Sequence, residues 1–473
     1  MLPAFGTGPR IPADKELNRV RDGANIHHGD GVGRRHWGAR QVRKIPKVPL
    51  IIGAIFAIAL AVMIATTIAL RKTELGFRVT QLEGKFKDRT GATFVGSETC
   101  KRCHERTYLE WRTSLHSRMM RDVKEEPLAN IGDFESASDV RRFKKEDVHY
   151  TLGSQWKQQY LKKEGNDLIV LPAQYNVFTG EWKAYYQESQ DARNWFKQCA
   201  GCHATGVDPE KKTFVEMGIA CEACHGPGSN HVEAVPGYEI PTIIQASRLT
   251  PALAAQICGS CHTAGRDKTG KYAYPVNYQI HKGEANIRLY FNEASPANDA
   301  SRFWPSGESR HSNQQYLDWK QSEHAKVGVT CVTCHDVHRS KSALQAVGEV
   351  PNPLVVIRSK TRLFEDQLCK SCHTTPLHRS VHRIHTFGSC VRCHMPTVAA
   401  IGEAGDAHSH TFRFMFPQAT LKAGGLEKQP NACNACHHHK ETPIDNLVGF
   451  LEAAKKNDMP RPFTVHQRAV PPE

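Results

Sequence analysis

A chain of 473 residues with a formal charge of +14, histidine counted as neutral, suggests a nucleic-acid binder at first sight. The distribution excludes that: residues 1–47 hold ten Lys or Arg against four Asp or Glu, whereas Thr73 to Glu473 holds 50 against 44 and has no basic aromatic stripe. The composition departs from the ordinary in its 16 cysteines and 26 histidines.

In chain order, residues 1–47 read as a basic cytoplasmic tail. Leu50 to Leu70 (LIIGAIFAIALAVMIATTIAL) is a 21-residue run without a charge, long enough to span a bilayer as a helix, and it predicts an anchor over 48–70. The basic residues before it keep the tail inside and send everything after Arg71 out. A cleaved signal peptide would have a shorter apolar region and a small-x-small site, so the expectation is an uncleaved single-pass anchor in the cytoplasmic membrane. Residues 71–95 then read as a linker, 96–440 as the functional domain and 441–473 as a C-terminal tail.

One motif recurs through that domain: CKRCH (Cys100, Cys103, His104), CAGCH (Cys199, Cys202, His203), CEACH (Cys221, Cys224, His225) and CGSCH (Cys258, Cys261, His262). CVTCH (Cys331, Cys334, His335), CKSCH (Cys369, Cys372, His373), CVRCH (Cys390, Cys393, His394) and CNACH (Cys433, Cys436, His437) follow. These eight motifs, numbered 1 to 8 below, use every cysteine. Structural zinc needs four ligands and has no use for a histidine directly after the second cysteine, and neither has a disulfide scaffold. Cys-x-x-Cys-His is the haem c attachment signature: two thioethers to the vinyl groups, and the histidine as proximal iron ligand. The expectation is eight haems c. Haem c is attached outside the cytoplasmic membrane, on the side to which the anchor delivers the domain. Each ferric haem with ionised propionates adds roughly −1, which brings the domain near neutral.

With eight macrocycles among about 400 residues, the haems replace much of the apolar core. The predicted fold class is mainly α with much irregular structure, organised around the haems. A small antiparallel β insert is expected near 148–187, within 140–190, where aromatic and β-branched runs are broken by EGND and FTGE turns. In CKRCHERTYLEWRTSLHSRMM, helical spacing carries the chain from His104 to His116, about 120° round the helix and so toward a different haem. In TPLHRSVHRIHTFG, His378, His382 and His385 fall on one helical stripe. The short intervals Cys199–Cys221 and Cys369–Cys390 hold neighbouring haems close together.

The segments GSETCKRCHERTYLEWRTSLH, IACEACHGPGSNH, SEHAKVGVTCVTCHDVH, SCVRCHMP, HSHTFRF and PNACNACH resemble the multihaem cytochrome c superfamily. That group includes hydroxylamine oxidoreductase, its tetrahaem partner and the pentahaem nitrite reductases. The resemblance spans most of Gly96 to Lys440 and implies closely packed bis-histidine haems. It implies distal ligands at His116, His231, His324, His338 and His410, and more weakly at His311, His382 and His385. His149 sits in the strand region and is not expected to ligate, nor are His438 and His439. Met119 and Met120 are the methionine alternatives.

Two functions follow. One is an electron-transfer wire between a quinol-linked donor (the quinol pool or a quinol-oxidising complex) and other cytochromes or redox enzymes in the periplasm or beyond. The other is an octahaem oxidoreductase of nitrite, hydroxylamine or a sulfur oxyanion, with one five-coordinate haem. No motif ends in lysine and no tyrosine follows Tyr316, two marks of catalytic haems in the resembled group, so the wire is the first expectation. No catalytic residue is assigned.

Overall fold

The structure, a computed structural model, describes residues 48–71, 89–185, 189, 193–276, 278, 286–338, 361–363, 366–373, 382 and 389–456. The chain divides into two units, Met1–Glu74 and Leu75–Glu473. In the first, α1 is a 24-residue helix, Val48–Arg71. Its described side chains, 55–66, are all exposed, Phe56 at 74% and Ile58 at 63%. Among the described residues no helix is long and apolar enough to cross a membrane. The expected tail, 1–47, lies outside the described residues.

The second unit opens on α2 (Ser97–Arg112), which carries motif 1 and kinks at His104, where φ is −118° and ψ 39°. The expected helix through His116 stops early. Thr113 Oγ1 donates to the Glu110 carbonyl (2.7 Å), and Ser117 Oγ to the carbonyls of Arg112 (3.0 Å) and Ser114 (2.9 Å). These hydroxyls take over helix-end carbonyls and turn the chain, so His116 leaves α2 on a turn rather than round its face.

The β insert forms one antiparallel sheet of β1 (Met120–Asp122), β2 (Tyr150–Leu152), β3 (Lys157–Glu164), β4 (Asp167–Val170), β5 (Ala173–Asn176) and β6 (Glu181–Ala184). β3 pairs with β2, β4 and β5. Both expected turns are present. Glu164 pairs with Asp167 around Gly165 at φ 59°, a tight hairpin that requires positive φ. Asn176 Oδ1 accepts from Phe178 N (2.9 Å) and Thr179 N (3.1 Å) to form the second. β1 was not expected; a three-residue strand shows no alternation.

Elsewhere short helices sit at the motifs, such as Ala200–His203, Cys221–His225, Cys331–Cys334 and Cys390–His394. α3 (Pro251–Gly259) runs into motif 4. After motif 7, α4 (Pro417–Ala423) packs on α5 (Ile444–Lys455), which buries Leu447, Leu451 and Ala454. The stretch from Ile444, expected as a tail, therefore belongs to the fold. So do the last residues of the expected linker: Glu222, 3% exposed, accepts from Val95 N (2.9 Å), Gly96 N (2.8 Å) and Gly228 N (2.7 Å). This carboxylate fastens the start of α2 to motif 3. The protein core is split into small clusters, the largest beside motif 2 around Trp195, Phe196, Tyr272 and Tyr274.

Candidate haem centres

A cavity of about 2820 Å³ runs through the second unit, well above the ~300–1,000 Å³ of an ordinary ligand pocket. Both cysteines of motifs 2, 4, 5, 6, 7 and 8 line it, with Cys224 of motif 3. None of the sixteen sulfurs is engaged in a disulfide. Among the described residues no three His, Cys, Asp or Glu converge as a metal cluster would require.

Six motif histidines each face a histidine from outside the motifs. Ring centroids are 6.3 Å apart for His104–His231, 5.9 Å for His225–His338 and 6.3 Å for His116–His262. They are 6.3 Å apart for His335–His410, 5.9 Å for His324–His373 and 6.2 Å for His382–His394. Two iron–nitrogen bonds of ~2 Å and two ring half-widths of ~1.1 Å sum to ~6.2 Å, the span across a single iron. The residues thus fit haem: cysteines for the thioethers, a proximal and a distal imidazole, and space between them. When bound, the haem iron supplies one-electron redox chemistry.

A family model described as cytochrome c554 and c-prime matches residues 99–168 and 174–226. The dissimilatory sulfite reductase MccA of Wolinella succinogenes is 22% identical over 467 aligned residues, covering 77% of this chain and 61% of that protein. The C-type polyheme cytochrome OmcC of Geobacter sulfurreducens is 25% identical over 201 residues, covering 37% of this chain and 26% of its own. The crystal structure of the outer cell wall cytochrome OcwA overlays with a TM-score of 0.58 at 24% identity, over 77% of this chain and 87% of that one. The chain is thus similar to multihaem c-type cytochromes in sequence and in fold. It spans less than two thirds of the length of either curated relative.

Five of these imidazoles are held in the state that iron needs. Burial pushes His203 and His410 down to about 4, and lowers His324, His338 and His394. Each is then neutral, with a lone pair to give. The other ring nitrogen is often tied to backbone: His225 Nδ1 to the Ile244 carbonyl (2.7 Å), His231 to Glu239 (3.1 Å) and His410 to His408 (3.0 Å). That bond sets the tautomer and the ring plane.

Sulfur contacts show how the motifs adjoin. The thiols, thioethers once haem is attached, lie within hydrogen-bonding reach between Cys100 and Cys221, Cys202 and Cys261, Cys258 and Cys331, and Cys369 and Cys390. Cys224 senses the charge of Cys261, Cys334 that of Cys369, and Cys393 that of Cys436. The contacts string the motifs in the order 1, 3, 4, 5, 6, 7, 8, with motif 2 joined to motif 4. Asp366 reinforces the 6–7 contact by accepting from Ser389 Oγ (2.9 Å) and Cys390 N (2.7 Å). The short 6–7 interval thus brings cysteines of the two motifs together, whereas the sulfurs of motif 2 meet those of motif 4.

Other candidates are placed elsewhere. His311 bridges to Ala400 in backbone pairing and lies near Asp299, Arg302 and Arg310, away from any motif histidine ring. His378 and His385, and with them most of the three-histidine stripe, lie outside the described residues; His382 is described. His149 sits beside the sheet, its Nδ1 3.2 Å from the Asp147 carbonyl. Met120 is buried in β1, and His203 lies against the Met119 backbone.

Among the described residues no histidine ring faces His203. Tyr185 and Lys157 line the same cavity, and the charge of Lys157 acts on both Cys199 and His203. Burial lowers the Lys157 ammonium. Sequence reasoning missed Lys157, because a lysine in a strand carries no signal of its own. At motif 8, His437 and His438 have centroids 3.9 Å apart, too close to hold an iron between them.

Proposed function

We propose that the protein carries eight haems c, one per motif, and conducts electrons along them. Axial pairing of His104–His231, His225–His338, His262–His116, His335–His410, His373–His324 and His394–His382 would make six of the haems six-coordinate. The observation that carries this reading is the set of six histidine pairs at iron-spanning separation. A relay of adjoining motifs fits a wire better than an isolated catalytic haem. The anchored part of this reading rests on the sequence, the uncharged run Leu50 to Leu70 behind a basic segment, since no helix among the described residues is long and apolar enough to cross a membrane. On this reading the haem domain works on the outer side of the cytoplasmic membrane, between a quinol-linked donor and periplasmic or extracellular acceptors. Voltammetry of the protein adsorbed on an electrode tests it: the wire gives reversible one-electron waves and no catalytic current with sulfite, nitrite or hydroxylamine.

One observation favours a second reading. His203 is faced by no histidine among the described residues, and the half-buried Lys157 is near enough for its charge to act on it. A haem with a free position and a neighbouring cation suits a small oxyanion, and the first relative above is named a dissimilatory sulfite reductase. A catalytic current with one of the three compounds, lost in Lys157→Met, would establish this reading.

A further inference from the structure

We propose that the haem sites of motifs 4 and 6 form a separate electronic class and act as electron-holding stations in the relay. This rests on the axial pairs proposed above. The pairs share one separation but differ in the angle between ring planes. His104–His231 and His225–His338 are near parallel, at 14° and 12°. His116–His262 and His324–His373 are near perpendicular, at 71° and 86°. His335–His410 and His382–His394 fall between, at 31° and 43°.

Ring angle matters because each imidazole donates from its filled π orbital into one of two iron d orbitals of like shape. Parallel rings both raise the same orbital, so the pair splits and the ferric ion gains by placing its hole in the upper one. Perpendicular rings raise the two equally, and that ferric stabilisation is lost. The iron is then more readily reduced, taking one electron from a ferrous neighbour and passing from ferric to ferrous. Electrons moving along the relay would rest at motifs 4 and 6, on either side of motif 5. Motif 4 is also where motif 2 joins, Cys261 Sγ lying 3.5 Å from the Gly201 carbonyl oxygen. The station therefore sits at the branch.

Different groups set the ring planes. The Ile244 carbonyl fixes His225, and His231 Nδ1 lies between the Glu239 carbonyl (3.1 Å) and Thr242 Oγ1 (3.2 Å). The perpendicular pairs are held by side chains: Gln315 Oε1 accepts from His262 Nδ1 at 3.2 Å, and the Phe412 ring meets His324 edge-on at 4.3 Å. Gln315 and Phe412 are thus positioning residues for ring planes and, through them, for potential.

The test is low-temperature EPR of the oxidised haem-loaded protein during a redox titration. Two haems per chain should give the large-g, strongly anisotropic low-spin signal of perpendicular imidazoles, and they should be reduced before the two rhombic ones. Gln315→Leu should convert one large-g signal toward the rhombic form and lower that haem's potential, with the haem count unchanged. Phe412→Leu should do the same for the other. If all low-spin signals are rhombic, or the large-g haems are reduced last, the proposal is overturned while the axial pairs stand. If motifs 4 and 6 are high-spin in the unaltered protein, the axial pairs themselves are wrong. If Gln315→Leu fails to load haem, Gln315→Glu, which keeps an acceptor, should retain the large-g signal, and its loss there counts against the proposal.

Discussion

His225 and His338 face each other with ring centroids 5.9 Å apart and planes 12° from parallel, although one is in motif 3 and the other follows motif 5. On the axial pairing proposed above, this pair would hold one iron from both sides. His338→Met should leave that haem low-spin and raise its potential by more than about 100 mV, within the ~0.8 V over which axial ligands act. His338→Ala should leave it high-spin. Redox titration followed in the visible spectrum, with haem count as control, checks both.

Glu222 is the one acceptor for the amides of Val95, Gly96 and Gly228. Glu222→Ala strands buried donors, each costing ~1–3 kcal/mol, so a loss of about 3 kcal/mol or more in denaturant unfolding is expected. Glu222→Gln keeps one acceptor oxygen and should lose roughly half as much.

Gly201 lies inside motif 2, and a Cβ there would come within 2.2 Å of the Tyr274 ring. Gly201→Ala should cost ~1–3 kcal/mol by overpacking and reduce haem loading at this motif. Tyr274→Leu in the same chain should recover part of the loading. Mass spectrometry of haem peptides reads the occupancy.

His438 lies too close to His437 to serve as its partner across iron, and His439 Nδ1 sits 3.3 Å from Thr442 Oγ1. His438→Ala and His439→Ala, made one at a time, should leave the number of low-spin haems unchanged. A new high-spin signal in either variant would make that residue a ligand to a neighbouring iron.

α1 should hold the chain in membranes through a high-salt wash, and removal of residues 1–72 should release a haem-loaded domain. Fractionation by haem stain checks this, and an unaltered chain found in the supernatant would count against the anchor.

The eight proposed attachment motifs are legible in the sequence because covalent haem binding needs its cysteines and histidine contiguous, so that chemistry is written locally. The β hairpins were legible for a similar reason, in the EGND and FTGE turns that Gly165 and Asn176 shape. The direction of His116 was not, since the hydroxyls of Thr113 and Ser117 end α2 at Arg112 and helical periodicity no longer applies. Nor could spacing say which motif each outside histidine would face: His324 lies next to motif 5 in sequence but opposes His373 of motif 6. That pairing is made by tertiary packing. That no described histidine ring faces His203, and that Lys157 lies near it, became visible only once the sheet was placed.

The account stands most directly on the number of haems the chain carries. Intact mass of the purified protein, set against the mass of the bare chain, measures it. An excess equal to eight haems is the predicted result, and an excess equal to seven or fewer in fully matured protein would contradict it.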